Sequence, residues 1–532
     1  MSDKVFAVLI EVVSIQKYVF GSNKLKENLG ASWLIQQIYK EPLREAVKKV
    51  LPSTNGYDFD AWWKNPDSIQ MNNGAEFEVG YIGGGNALLF FKDENKAKDF
   101  IKEWTKSLLI QSPGVITAVA CNAFDLKNNN IFHDEIAKTF KGLHQNKYSQ
   151  IPQTVIPRHG ITAECPHTGY SMENNWHDLD NTYVSSVAWA KIEAAKKAKK
   201  ELEDKYDNIL NNQFCFTDEL DKLGQQTGES HIAVVHIDGN GMGKRFQQTQ
   251  SLEAIRNLSK TVREVTLKSF EELLKSIVKD FSSIQESLGY TDKSKWPKEK
   301  DKKGKDKDVL PIRPIIIGGD DITFVSEGRL GIYFAKLFLE AFEIKNVSDN
   351  KKLSACAGIA ITKTKYPFYR GYQLSEELCR NAKKIRKDKK DNGSWLDFHI
   401  AYGGFSGMLE DIRKNNYKAP LGDLCFRPYK IKDNGERGFE TLVQNTKELK
   451  KGFPQNKRKE LRQVLTLGQA SIDKFMKHIE ARDLKLPEIN GKTYHKNIFG
   501  DTGKNRKGET IKASPYFDMI EFVEFYPSFL LE

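Results

Sequence analysis

One pattern occurs twice in this chain, and it limits the fold more than any other feature. Tyr81-Ile82-Gly83-Gly84-Gly85-Asn86-Ala87-Leu88-Leu89-Phe90 and Ile316-Ile317-Gly318-Gly319-Asp320-Asp321-Ile322-Thr323-Phe324-Val325 are both β-rich runs folded about a glycine turn, the pattern of a hairpin. Far upstream of each lies another β-rich run, residues 5–13 in the first case and Ile232 to Asp238 in the second. Downstream of each come a helical stretch and a further strand, Val115 to Ala120 and Leu353 to Thr362. A sheet with a central hairpin and covering helices therefore forms twice, and the chain reads as α/β (α+β) by internal duplication.

At 532 residues the chain exceeds what one core can hold. The repeats divide it into a first sheet unit at 1–145, a connecting and mostly helical unit at 146–225, a second sheet unit at 226–403 and a C-terminal helical domain at 404–532. The connecting unit carries a basic helix, Ala190 to Leu210, and the last unit is basic as well, as in Thr446 to Arg462. In the second sheet unit, helices are expected over about 251–281, 329–343 and 372–388, with Trp395 to Ile400 as a closing strand. Lys293 to Asp308, rich in Lys and Asp and poor in apolar residues, reads as a solvated surface insertion.

Composition narrows the class of function. A net charge of +11 favours polyanionic partners such as nucleotides, RNA or DNA. The six cysteines form no CxxC pair, which argues against a disulfide framework and a thiolate zinc site and fits a reducing compartment. The apolar run Val5 to Ile10 is too short for a signal peptide, and no stretch approaches a membrane span. A soluble, cytoplasmic protein without a membrane partner is expected.

The chemistry concentrates on the second repeat. Asp238 ends one strand, and Asp320 and Asp321 occupy a turn between two others. If these strands are neighbours, three carboxylates converge on one sheet edge, the donor set that two hard divalent cations need for phosphoryl transfer. Gly318 and Gly319 allow positive φ and leave no side chain in the way of a nucleotide. Asp238 runs into Gly239-Asn240-Gly241-Met242-Gly243-Lys244, a glycine-rich loop entering a helix, whose N–H groups suit phosphate oxygens although Walker spacing is absent. Downstream, Arg380, Lys383, Lys384 and Arg386 form a basic helical cluster, of which Lys383 is the first choice to neutralise a triphosphate. Each signal has a bland counterpart when taken alone: a hairpin turn, a helix cap, a flexible connection, a solvated helix face. Their order, and the duplicated hairpin, select the catalytic interpretation.

In this combination the residues resemble the CRISPR polymerase family, the palm-domain large subunits of type III CRISPR effector complexes, which are related to GGDEF nucleotide cyclases. Ser14-Ile15-Gln16-Lys17-Tyr18-Val19-Phe20 with Gly30-Ala31-Ser32 is similar to the opening of the family's first palm, and Gly83-Gly84-Gly85-Asn86 to its degenerate turn. Tyr183-Val184-Ser185 and the helix around Lys191 are similar to its connecting domain. His236 to Gly243 and the Gly318 to Asp321 turn are similar to its second palm. The resemblance spans most of residues 1–400. It implies two ferredoxin-like palm domains, a small helical linker domain and a C-terminal helical domain. It further implies synthesis of cyclic oligoadenylates from ATP with Mg²⁺ or Mn²⁺ (two ions held by Asp238, Asp320 and Asp321) in antiviral defence. Guide or target RNA and other type III subunits are the implied partners.

The first repeat is expected to be degenerate. Aligning Phe20 with Phe246 places Val12 where Asp238 stands, and aligning the turns places Gly85 and Asn86 where Asp320 and Asp321 stand. All three carboxylates are then missing, which leaves a palm that holds a nucleotide through Gly84, Gly85 and Asn86 without catalytic metals. The family's usual HD nuclease domain has no counterpart before residue 5, so no HD-type DNase activity is expected. Its four-cysteine zinc site is reduced to Cys165, His167 and Cys215, so zinc is not expected. Two alternatives stay open: a catalytically weak RNA-binding scaffold, and a palm cyclase that makes a cyclic dinucleotide.

Overall fold

The computed structural model describes residues 4–52, 56–126, 128, 132–149, 161–173, 175–177, 182–226, 228, 230–301, 303–344, 346–403, 407–489, 498–504 and 510–532. Of the connecting unit, residues 150–160 lie outside the described residues, as does residue 302 of the Lys/Asp-rich run. No helix among the described residues is long and apolar enough to cross a membrane.

Two sheets are built on one plan. In the first, Lys4–Val12 lies between Asn86–Phe91 and Thr117–Asp125, and Phe77–Gly83 completes the far side. All three pairings are antiparallel. Ala7, Val8, Leu9 and Ile10 are fully buried, so this strand is covered on both faces, which explains its unbroken apolar run. In the second sheet, His231–Gly239 lies between Asp321–Glu327 and Ala355–Lys363, with Ile312–Gly318 beyond the hairpin. Leu25–Gln37 follows the first strand of one sheet, and Leu252–Lys279 follows that of the other. Helices Glu94–Gln111 and Gly331–Phe342 occupy the third connection. Both sheets are thus ferredoxin-like, two sheets as the duplicated pattern predicts and of the form the resemblance implies.

The correspondence is close. Both hairpins carry a register irregularity at the same distance before the turn, between Val79 and Tyr81 in one and between Pro314 and Ile316 in the other. In both, the residue that ends the central strand donates its amide to the turn: Val12 to the Gly85 carbonyl at 3.0 Å, and Gly239 to the Asp320 carbonyl at 3.2 Å. In both, a left-handed residue precedes a six-residue helix: Ser14 at φ 56° before Ile15–Phe20, and Gly241 at φ 73° before Met242–Gln247.

The halves interlock. The Phe20 ring stacks on Tyr372 with centroids 3.7 Å apart. Arg256, fully buried on the Leu252–Lys279 helix, enters the first half, where it donates to the carbonyls of Gly80 and Ser68, each at 2.9 Å, and pairs with Glu78 at 2.6 Å. The first-half helix Leu25–Gln37 packs along Ser186–Lys205 of the connecting region, where Gly30 has no room for a side chain: a Cβ would sit 1.7 Å from the Lys191 carbonyl.

Three stretches add to what was expected; the described residues of the Lys/Asp-rich run lie at the surface as foreseen, apart from Trp296, and Trp395–Ile400 is a strand as foreseen. The Lys/Asp-rich run is ordered as a hairpin, Lys298–Lys300 with Asp306–Val309, which pairs with Phe214–Cys215. Two buried apolar residues, Trp296 and Val309, anchor it, and the Trp296 indole N–H donates to the Val309 carbonyl at 2.8 Å. The second sheet continues past its ferredoxin-like core through Trp395–Ile400, parallel to its neighbour, and then takes in Tyr429–Lys430. The C-terminal stretch is helical over Leu409–Asn416, Phe439–Gly452, Gln455–Val464, Gln469–Glu480 and Pro515–Phe522, but it also holds a small four-stranded sheet.

Candidate active site

Antiparallel register places Asp321 directly opposite Asp238, so their side chains leave the same face of the sheet. His236 opposes Thr323 on that face and lies two residues from Asp238 along the strand. Asp320 sits in the turn itself, with its carboxylate against Gly239: a Cβ there would be 2.5 Å from Asp320 Oδ2. Glycine after Asp238 is therefore required for packing as well as for chain direction. Thr266, on the Leu252–Lys279 helix, donates its hydroxyl to the Gly319 carbonyl at 2.6 Å and pins the turn from behind.

Lys383 comes from the Phe368–Asp388 helix. Its ammonium is 2.6 Å from Asp238 Oδ2 and donates to the Gly239 carbonyl at 2.8 Å. Burial works against this charge, but Asp238 outweighs it and holds the lysine pKa above its ordinary value. One ammonium against three carboxylates leaves the site short of positive charge. Burial, and then the Asp238 charge, push Asp320 up to about 6. The same causes, with Asp320 added, raise Asp321 well above the ordinary carboxylate range. His236 does not make up the deficit. Its Nδ1 is 3.5 Å from Asp321 Oδ1, but burial pushes the imidazole down to about 4, and its nearer partner is the Thr323 hydroxyl at 3.1 Å. Asp321 Oδ1 is buried without a hydrogen-bond partner. An orphaned carboxylate oxygen among mutually repelling carboxylates is the donor chemistry that hard divalent cations satisfy. With Asp238 turned onto Lys383, no group of three His, Cys, Asp or Glu side chains is already gathered for a metal among the described residues.

The predicted glycine loop serves the site less directly than expected. The amides of Gly239 and Asn240 are already used, the first by Asp320 and the second by the Ser354 carbonyl at 2.8 Å. The Asn240 side chain donates to Ser354 Oγ at 3.1 Å and accepts from Cys356. These two residues brace the loop against the neighbouring strand. Gly241 and Gly243 have open space beside them, as does Gly318.

The two glycine turns face each other. A Cβ on Gly319 (φ 53°) would come 3.9 Å from the Gly84 amide nitrogen. Beside them lies a cavity of about 650 Å³, bounded by Gly83 to Gly85 and Gly318 to Asp321. Tyr39, Phe59, Trp62 and Trp63 line it from the first half and Arg263 from the second. Tyr39 donates its hydroxyl to the Gly85 carbonyl at 2.6 Å, and the Arg263 guanidinium lies 5.0 Å from the Trp63 ring centre. Volume, aromatic walls and the basic side chains of Lys40, Arg44 and Arg263 along the lining suit a nucleotide-sized anionic ligand. The motif search missed these wall residues because they come from helices and loops with no signature of their own.

In the first half, register corrects the sequence alignment by one residue. Glu11, not Val12, opposes Asn86, as Asp238 opposes Asp321. Val12 is the counterpart of Gly239, so bulk has changed sides: Gly239 with Asp320 in one copy, Val12 with Gly85 in the other. One carboxylate is thus retained, and Glu11 pairs with Lys147 at 2.5 Å. The phenylalanine match misled because a strand shifted by a single residue presents its other face.

Cys165 and His167 lie near each other, but the His167 imidazole is turned to the buried Glu27 carboxylate. Cys215 is in the strand paired with Asp306–Val309, its thiol directed at the carbonyls of Lys307 and Asp308.

Comparison with known proteins agrees with this architecture. Residues 231–392 match the family model of the Cas10/Cmr2 second palm domain. No curated protein matches the sequence. Among solved structures, the Csm1–Csm4 cassette in complex with pppApApA aligns at a TM-score of 0.52 and 12% identity, over 98% of this chain and 70% of that one. The cassette in complex with cA4 aligns at 0.41 and 12% identity, over 74% and 54%. The Csm1–Csm4 subcomplex of the type III-A CRISPR-Csm interference complex aligns at 0.39 and 13% identity, over 74% and 54%. The chain spans about half the length of the chain it matches in the latter two structures. At such identity the likeness is one of fold.

Proposed function

We propose that this Cas10-like palm-domain subunit is a metal-dependent nucleotidyltransferase that joins ATP into cyclic oligoadenylates with release of pyrophosphate, in CRISPR-type antiviral defence. The observation that carries the proposal is the gathering of Asp238, Asp320 and Asp321 at one sheet edge, opposed by a single lysine, with Asp320 and Asp321 on the rim of a nucleotide-sized cavity beside two glycine turns. The adenine preference is supported by the likeness to the cassette in complex with pppApApA, and the cyclic product by the resemblance of the two turns and the glycine loop to the CRISPR polymerase family.

Two divalent ions held by the three aspartates would activate an attacking ribose 3′-hydroxyl and stabilise charge on the α-phosphate. The chain's own groups do the rest. Gly318 and Gly319 let a phosphate approach the turn backbone without meeting a side chain. Lys383, released from Asp238, supplies positive charge to the departing pyrophosphate. Tyr39, Phe59, Trp62 and Trp63 shield the bases from water and offer faces for stacking. The first palm holds the second nucleotide beside its own turn at Gly84, Gly85 and Asn86. Assembly with type III subunits and RNA belongs to the same proposal, and it agrees with the +11 charge.

The test is product analysis. The full chain is incubated with Mg²⁺ or Mn²⁺ and all four nucleoside triphosphates, with and without target RNA and partner subunits, and products are identified by mass spectrometry. A cyclic oligoadenylate from the parent, absent from Asp320→Ala/Asp321→Ala, is expected. A cyclic dinucleotide alone would replace the product class, and no product under any condition would refute the enzyme.

A further inference from the structure

Around the first glycine turn the chain repeats one more element of the second half-site. Lys147 lies on Phe132–Ser149, the helix that follows the last strand of the first sheet. Lys383 lies on Phe368–Asp388, the helix that follows the corresponding strand of the second. Each reaches back to the carboxylate at the end of the central strand: Lys147 to Glu11 at 2.5 Å, Lys383 to Asp238 at 2.6 Å. Each helix also touches the other half's short helix, Phe132–Ser149 against Met242–Gln247 and Phe368–Asp388 against Ile15–Phe20. The match is one of place in the fold; no sequence motif marks Lys147.

We propose that Lys147 is a positioning residue that holds the phosphates of the second nucleotide, and that Glu11 is the internal counter-ion it gives up on binding. The inference rests on the proposed two-nucleotide reaction and adds the residues that would fix the nucleotide in the first palm. Three observations support it. Lys147 and Glu11 keep 26% and 29% of their side chains exposed, so an anion can reach the pair. Asn86, directly opposite Glu11 and on the same face, has its Oδ1 buried without a hydrogen-bond partner, an acceptor awaiting a donor such as a ribose hydroxyl. The charge balance also differs between halves. One ammonium meets one carboxylate here, against three carboxylates in the second half, so phosphate oxygens can replace Glu11 on Lys147 without first gathering divalent ions to offset an excess of negative charge. An ion pair that keeps contact with solvent contributes little to stability, so Lys147 can be altered without unfolding the chain.

Binding of a non-hydrolysable ATP analogue to the full chain is measured by calorimetry with and without Mn²⁺, for the parent, Lys147→Ala, Lys147→Arg, Glu11→Gln and Asp320→Asn/Asp321→Asn. The parent is expected to bind two nucleotides, one of them independently of metal. Lys147→Ala should weaken that metal-independent nucleotide by roughly tenfold or more, Lys147→Arg should retain it, and Glu11→Gln should tighten it because the competing carboxylate is gone. The aspartate double variant should keep it and lose the other. Unchanged metal-independent binding in Lys147→Ala, or no such binding in the parent, overturns the proposal. If the binding pattern holds while no condition yields product, only the proposed reaction fails. If product forms and Lys147→Ala leaves KM for ATP unchanged, only the role of Lys147 fails.

Discussion

At the scale of single residues, the candidate site is a set of charges held in an unfavourable arrangement. Asp320, raised to about 6, keeps its proton in the folded state at pH values where an unfolded chain has lost it. Its contribution to stability is therefore present below the unfolded pKa of 3.8 and is lost as pH rises through about 6. Asp320→Asn should accordingly stabilise the metal-free protein at pH 7 by about 1–2 kcal/mol, the full shift being discounted for partial exposure, with no gain at pH 4. Urea titration at the two pH values checks this. Divalent-ion affinity should show the opposite sign: a cation needs the carboxylate ionised, so Mn²⁺ binding to the parent should strengthen as pH rises through 6 and release protons. Affinity that is flat from pH 5 to 7.5 would contradict the placement of Asp320 among the ligands.

Elements matter here because they deliver side chains to within hydrogen-bonding distance. The Phe368–Asp388 helix can bring Lys383 to Asp238 only because it lies on a glycine. A Cβ on Gly358 would sit 1.9 Å from the Ser375 carbonyl oxygen and 2.4 Å from the Cys379 amide nitrogen, both backbone atoms of that helix. Gly358→Ala should lift the helix, destabilise the fold by about 1–3 kcal/mol and lower turnover although it touches no substrate; calorimetry and rate measurement on one sample test both. Arg256 plays the corresponding part between the halves. Burial pushes the Glu78 carboxyl up even beside this guanidinium, so Arg256→Ala would strand an acid in the core. A loss of about 3–5 kcal/mol is expected. If Arg256→Ala unfolds at the parent's denaturant midpoint, the buried pair is not what joins the two halves.

For the whole molecule, the second sheet is the structural centre: the first half packs on it from one side, and the C-terminal stretch adds a strand to it. Where the C-terminal stretch meets this sheet, His399 is buried near Arg413 and Arg427, and burial followed by these charges pushes its imidazole down to about 3. A folded-state pKa below the unfolded value near 6.5 contributes stability above pH 6.5 that is lost as pH falls. Between pH 6.5 and 5 the loss attributable to this residue is about 2 kcal/mol. His399→Gln should flatten that part of the acid limb, measured by urea unfolding at several pH values; an unchanged limb would place the acid sensitivity elsewhere.

Local pattern alone determined a good deal. The glycine turns, the buried central strands and the order of strands and helices are encoded by residues close together in sequence, and two sheets with a central hairpin follow from them by period and turn chemistry, while their ferredoxin-like form was implied by the family resemblance. That Asp238, Asp320, Asp321 and Lys383 would lie close together was legible for the same reason, since each sits at a strand end, in the turn or on one face of a helix. Tertiary structure alone decided what depends on register and on long-range packing. A one-residue shift separates Val12 from Glu11, and only pairing with Asn86 shows which of them stands in the place of Asp238. Trp296 ties the charged, solvated run to the core by filling a space made by Phe281 and Tyr290. Tyr39, Trp62, Trp63 and Arg263 reach the candidate site from elements with no motif of their own, because side chains far apart in sequence meet only when the chain closes on itself.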